Sequence, residues 1–170
     1  MNHREVTIAP ARRDDVRAIA LGSRDLVEHG LAWAWTPSRV LRSVRSRIAL
    51  VVVARAGDRL VGFAIMRYGN EEAHLDLLAV VPERRRQGVG RRLVEWLEKP
   101  ALVAGITEVT LEVRSGNRGA RAFYERLGYR ESGRSAGYYQ GRESAIRMRH
   151  ELGRRDAPPV VVWRMPSASQ

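Results

Sequence analysis

The sequence predicts an α/β chain of the α+β kind, with one mixed, mostly antiparallel sheet flanked by about four helices. Three observations predict it. Apolar runs over 48–54, 60–68 and 73–81 are separated by turn-length connections, Ala56-Gly57-Asp58-Arg59 and Gly69-Asn70, which makes an antiparallel meander. The third run is followed by a glycine-bearing loop, a helix-period stripe and an alternating run over 106–114, enough chain for a parallel crossover. Helix-period stripes with start and stop residues precede the meander and follow the crossover. At 170 residues one core suffices, so the chain reads as a single domain over 1–152 with a tail over 153–170.

Residues 5–9 alternate weakly before Pro10 and predict a short edge strand. Arg13-Asp14-Asp15 then leads into Val16, Ile19, Ala20, Leu26 and Val27, a cap followed by a helical stripe that has Gly22 in its middle. Residues 30–37 are loop-like and hold Trp33 and Trp35. Thr36-Pro37-Ser38 starts a second helix, with proline at its first position, that turns Val40, Leu41 and Val44 inward and runs to about Arg47. After the meander, a helix from Val89 carries Leu93, Val94, Trp96 and Leu97 on one side, and Pro100 is expected to kink or shorten it. Ser115-Gly116-Asn117 opens a helix over 117–127 closed by Gly128. Residues 129–133 and 143–150 make a last strand pair around a Gly- and Tyr-rich loop. In the tail, Ala157-Pro158-Pro159 and then 160–165 suit an edge strand or a contact in a homodimer.

Composition narrows the function. The chain is 44% hydrophobic and 29% charged, with no apolar run of the 18 or more residues a membrane span needs. It has no cysteine, which removes disulfides, thiolate metal sites and a cysteine nucleophile; no clustered ligand set suggests a metal. The first residues lack an apolar export segment, so the expected location is cytoplasmic. The net charge of +11 is almost wholly arginine, since Lys99 is the sole lysine. Such a charge suits nucleic acid, an anionic small ligand or an acidic protein partner, but the arginines are scattered through every element, which favours solvated surfaces over a dedicated nucleic-acid face.

The stretch Arg85-Arg86-Gln87-Gly88-Val89-Gly90 lies between a strand and a helix start, where unsatisfied backbone N–H groups and the helix dipole favour phosphates. It is not a dinucleotide fingerprint, because the residue three after Gly90 is Leu93, and it has no Gly-Lys-Ser/Thr. It resembles the R/Q-x-x-G-x-G/A pyrophosphate loop of the GNAT superfamily of acyl-CoA-dependent N-acyltransferases. The run from Asn117 through Ala120, Phe123 and Tyr124 to Gly128 and Tyr129 resembles that superfamily's second signature at every motif position.

The resemblance covers about 48–150 and implies acetyl-CoA as cosubstrate, held in a V-shaped gap between splayed strands 73–81 and 106–114. It implies that pantetheine pairs with backbone near Leu78 and Val80, and that an N–H at Leu78 or Ala79 polarises the thioester carbonyl. The pyrophosphate would lie against Arg85, Arg86, Gln87, Gly88, Val89, Gly90 and Arg91, with Asn117 positioning pantetheine. Tyr124 is the implied acid for the thiolate; from a tyrosine near 10 to a thiol near 8.5 the transfer is uphill by about 2 kcal/mol. A core tyrosine on an amphipathic helix is the plainer reading of the same residue. Glu112, between apolar neighbours at the edge of the gap, is the implied base, with a pKa raised by desolvation. His74, with Asp76 beside it, is the competing base.

Within the superfamily the chain is most similar to ribosomal-protein alanine N-acetyltransferases, through residues 111–117, Tyr138-Tyr139 and 143–148. That similarity implies a protein N-terminal α-amine as acceptor, bordered by Trp35, His74, Tyr138 and Tyr139. The subgroup's Phe-Pro-Trp-Ser-like segment is replaced here by Trp33-Ala34-Trp35-Thr36-Pro37. At pH 7, freeing an α-amine of pKa near 8 costs about 1.4 kcal/mol, against about 4.6 for a lysine. A small-molecule amine acceptor, aminoglycoside-like or an amino acid, and a non-catalytic basic module binding RNA or protein are the alternatives.

Overall fold

The structure is a computed structural model and describes residues 5–141 and 143–153. The expectation of an edge strand or dimer contact at 160–165 lies outside the described residues. The strands are β1 (Val6–Pro10), β2 (Ala49–Ala56), β3 (Arg59–Tyr68), β4 (Glu72–Val80), β5 (Glu108–Arg114), β6 (Arg130–Tyr139) and β7 (Glu143–Glu151). The helices are α1 (Val16–Leu26), α2 (Pro37–Arg45), α3 (Val89–Val103) and α4 (Arg118–Arg126). The strands form one sheet in the order β1-β2-β3-β4-β5-β7-β6.

Strand periodicity sends alternate residues to two apolar layers. Val52 and Ala54 of β2 join Leu93 and Leu97 of α3, Leu111 and Met148 on one face. Val51 and Val53 join Ile19 of α1, Val40 of α2, Phe63 and Ile65 on the other. Gly22 has a packing reason: a Cβ there would lie 2.7 Å from the Phe63 ring, so only glycine lets α1 come this close to β3. The N-terminus of α2 is capped as expected, with the Thr36 hydroxyl accepting the Arg39 N–H and Pro37 in the first turn.

β2 to β4 form the expected antiparallel meander, β1 pairs antiparallel with β2 as the expected edge strand, and α3 carries the chain across to β5. β4 and β5 are parallel but paired only at Glu72↔Glu108, Ala73↔Val109 and His74↔Thr110. Beyond His74, β4 stays with β3 as far as Val80, while β5 stays with β7 as far as Arg114. The gap between them is the expected splay. A feature the sequence pattern hides lies at its apex. Ile65 pairs with Leu77 and Met66 with Leu75, so Asp76 is a bulge residue. The extra residue switches the faces of β4: Ala73 and Leu75 pack toward α3, whereas Leu77 and Ala79 pack toward α1 and α2.

Two expectations need correction. Pro100 does not shorten α3, which runs on to Val103. Only one ladder bond is lost to the missing N–H. The last turn is held by full burial of Ala101, by the Ala104 N–H donating to the Pro100 carbonyl at 2.9 Å, and by the Tyr68 hydroxyl donating to the Leu97 carbonyl at 2.9 Å. Second, the Gly- and Tyr-rich stretch expected as loop is strand: β6 extends to Tyr139 and turns only at Gln140 and Gly141, both with positive φ. β6 is an exposed edge strand with no apolar alternation, and its ladder with β7, not its side chains, makes it a strand.

Leu93 is fully buried between α3 and the sheet. Leu93→Ala is expected to lower the unfolding free energy by about 2–5 kcal/mol in urea denaturation. A loss below about 1 kcal/mol would show that α3 does not seal this face.

Candidate active site

The loop after β4 is built as an anion cradle. Arg86 (φ +58°) and Gly88 (φ +78°) are both left-handed and separated by one residue, so successive N–H groups turn to the same side. Gly88 caps α3, adding first-turn donors and the positive end of the helix dipole. An arginine at positive φ stores roughly 1–3 kcal/mol of strain, a cost typical of ligand clamps. Gly90 is a matter of contact rather than conformation: a Cβ there would lie 3.1 Å from the Phe123 ring of α4.

A cavity of about 910 Å³ opens from this loop along the free side of β4. Leu78, Ala79 and Val80 form one wall; Arg85, Arg86, Gly88, Gly90 and Arg91 surround its mouth; Asn117 and Tyr124 belong to the opposite wall. Two expected residues are elsewhere. Gln87 folds back to donate to the Glu83 carbonyl at 2.9 Å, and Val89 is core, 2% exposed. Either could meet a ligand only through its backbone. Arg85 donates Nε–H to the Val80 carbonyl at 3.0 Å, bracing the loop against the strand. Asn117 caps α4, accepting the Ala120 N–H at 3.0 Å.

A second cavity, of about 530 Å³, continues past the apex of the gap. Its wall brings together all four residues expected around the acceptor, Trp35, His74, Tyr138 and Tyr139, together with Asp76 and Glu112. Leu78, Asn117, Ala120 and Tyr124 line both cavities, so the two are one cleft with Tyr124 at the junction. Tyr124 is a core residue as well, edge-on to Phe123 and Tyr129. Burial, with a smaller contribution from Tyr139, pushes its pKa well above that of a free tyrosine, so it keeps its proton across the physiological range. Burial likewise raises Tyr139, to about 12.

The electrostatics of Glu112 differ from expectation. Its pKa is lowered, not raised, because the hydrogen bond to His74 Nε2 at 2.9 Å outweighs desolvation, with Arg147 and Arg67 adding to the shift. Asp76, the bulge residue, is held by Arg67 through two hydrogen bonds of 2.5 and 2.7 Å, and lies 3.8 Å from His74 Nε2.

Three residues on the wall of the second cavity, Glu28, Arg39 and Gln140, are ones the sequence reading does not single out. The buried Glu28 carboxylate accepts the Ala34 N–H at 2.7 Å, the Trp35 N–H at 3.1 Å and the Ser23 hydroxyl at 3.0 Å, fixing the tryptophan-bearing loop. Arg39 stacks over the Trp35 ring at 4.0 Å. The Gln140 side-chain amide pairs with both backbone groups of Ala32, at 3.1 and 3.3 Å, and so ties the β6–β7 turn to that loop. A glutamate among apolar neighbours, Leu26-Val27-Glu28, was a readable signal for the first. Gln140 had none.

Comparison with known proteins agrees with this layout. The sequence model of the acetyltransferase (GNAT) family matches residues 18–129. The chain is 42% identical over 96 residues to a ribosomal protein bS18-alanine N-acetyltransferase of Salmonella typhimurium, a match covering 55% of this chain and 65% of that protein, just under two thirds of its length. It is 35% identical over 124 residues to an N-alpha-acetyltransferase of Mycobacterium tuberculosis, 70% of this chain and 77% of that one. The crystal structure of the ribosomal-protein-S18-alanine N-acetyltransferase from Escherichia coli superimposes with a TM-score of 0.75 at 28% identity, covering 91% of this chain and 99% of that one. From the parted strands and the glycine cradle to the sequence match over 18–129, the chain belongs to the acetyltransferase (GNAT) family.

Proposed function

We propose that the chain is an N-acetyltransferase that moves an acetyl group from acetyl-CoA to a protein N-terminal α-amine by direct attack in a ternary complex. The observation that carries this reading is the single cleft whose two halves meet at Tyr124, one ending in an arginine-rimmed glycine cradle and the other in carboxylates. The similarity to alanine N-acetyltransferases supports the choice of acceptor.

In this reading the pyrophosphate rests on the N–H groups of the cradle and the thioester arm runs along the unpaired edge of β4. A backbone N–H at Leu78 or Ala79 stabilises the oxyanion as the amine attacks. The ammonium loses its proton toward Glu112 before attack. Tyr124 protonates the departing thiolate. Its burial makes that transfer more uphill than for a tyrosine in water, so about 2 kcal/mol is a lower bound until the thiolate itself hydrogen-bonds the hydroxyl. Asp76 and Glu112 favour a cationic acceptor at that end, despite the overall charge of +11.

Acetyl-CoA at 100 times its Kd is expected to stabilise the fold by about 2.7 kcal/mol in thermal unfolding. No shift would remove the cosubstrate. Tyr124→Phe should lower kcat about 10²-fold while retaining that stabilisation, and Glu112→Gln should lower kcat by a similar factor at neutral pH. Unchanged turnover in either variant removes that residue from the chemistry. A mass-spectrometric screen of N-terminal peptides, lysine peptides and small amines tests the acceptor. Preferential labelling of α-amines is expected, and labelling confined to lysine side chains or small amines overturns it.

A further inference from the structure

The wall of the acceptor cavity holds a chain of four polar side chains whose proton positions follow from donor and acceptor counting. Thr110 Oγ1 lies 2.6 Å from Glu72 Oε1 and 2.9 Å from His74 Nδ1. Glu72 also accepts from Arg147 at 3.3 Å, so it is a carboxylate with no proton to give. The single Thr110 hydroxyl proton must therefore point at Glu72, because two bare oxygens do not approach to that distance. Thr110 can then only accept from the imidazole, which places a proton on His74 Nδ1. The other nitrogen, Nε2, lies 2.9 Å from Glu112 Oε2. A proton must lie between that pair too whenever the spacing is a hydrogen bond. Thr110 is 1% exposed and sits opposite His74 in the last paired rung before β4 and β5 part, so the arrangement is fixed by the sheet.

We propose that His74 and Glu112 accept the acceptor's proton as one unit, with Thr110 and Glu72 locking the imidazole so that Nε2 is the atom that gains and loses it. This deepens the acetyl-transfer reading and names the base it needs. The ammonium N–H bond breaks, its electron pair stays on nitrogen for the attack, and the proton crosses a bridging water to lie between Nε2 and Oε2. The charge of the pair goes from −1 to 0, and the proton passes to solvent after product release. Without the proton, two lone pairs confront each other at hydrogen-bond distance, which makes the empty pair a stronger base than a lone carboxylate. The surrounding charges act in both directions. Glu72 and Asp76 on β4 favour the protonated pair, Arg67 on β3 and Arg147 on β7 disfavour it, and Tyr138 and Tyr139 on β6 stay neutral beside Glu112. His74 and Glu112 together are the base in this scheme, and Thr110 and Glu72, which act through the imidazole, are positioning residues.

The test needs no acyl transfer, so its failure is distinct from failure of the acetyltransferase reading. In the ligand-free chain labelled with 15N-histidine and 13C-glutamate, a pH titration by NMR resolves His74 among only four histidines. Expected is an Nδ1 that stays protonated throughout and an Nε2 that loses its proton at the same midpoint as the Glu112 carboxyl reports. A neutral His74 with its proton on Nε2, or separate midpoints for the two residues, overturns the proposal. Thr110→Val, isosteric but without the hydroxyl, should let the other tautomer appear; an unchanged tautomer also overturns it. In kinetics, His74→Gln should displace the acid limb of the kcat profile to lower pH by about one unit or more, since Glu112 alone is then the base. A fall by the same factor at every pH would mark His74 as structural and sink the paired base.

Discussion

The feature on which the rest depends is where β4 and β5 stop pairing. Three rungs join them, ending at His74↔Thr110, and beyond that each strand is committed to a different neighbour. A sheet interrupted this way leaves the facing edges of both strands with backbone groups that water or a ligand must satisfy. The cost of that open edge is offset by two apolar layers that hold the diverging strands rigidly from both faces. The bulge at Asp76 sits at the point of parting and redirects the strand, so that one side of β4 can serve the core before the apex and the cleft after it.

The cleft that results has a charge gradient along its length. Its outer end offers arginines and convergent backbone N–H groups, while its inner end offers Asp76 and Glu112. Tyr124 stands where the two meet, on a helix begun by the Asn117 cap and pressed against the first-motif helix through Phe123 and Gly90. The first and second sequence motifs are thus two sides of one packing contact. A Cβ at position 90 would lie 3.1 Å from the Phe123 ring, which would have to give by a few tenths of an ångström.

Much of this was legible in the sequence because it follows from local pattern. Strands at 48–54, 60–68 and 73–81, the crossover helix and both motif segments are carried by period and by glycine placement, and each lies close to its observed element. What escaped depends on tertiary context. Pro100 reads as a breaker because local rules omit the burial of Ala101 that holds the last turn. β6 has no apolar face to announce it, and its ladder to β7 is a non-local fact. The bulge at Asp76 is invisible in an evenly alternating run. The sign of the Glu112 shift depends on a histidine 38 positions away, brought to 2.9 Å only by the parallel pairing. Sequence offered His74 and Glu112 as rivals for one role, and the structure sets them 2.9 Å apart.

In the proposed reading the gap between β4 and β5 holds a thioester arm whose sulfur ends at Tyr124. A crystal structure of the full chain with coenzyme A tests it most directly. Expected are the diphosphate on the cradle from Arg86 to Gly90, the pantetheine along the free edge of β4, and the sulfur within hydrogen-bond reach of the Tyr124 hydroxyl. Coenzyme A bound elsewhere, or a gap closed by continued β4–β5 pairing, would contradict it.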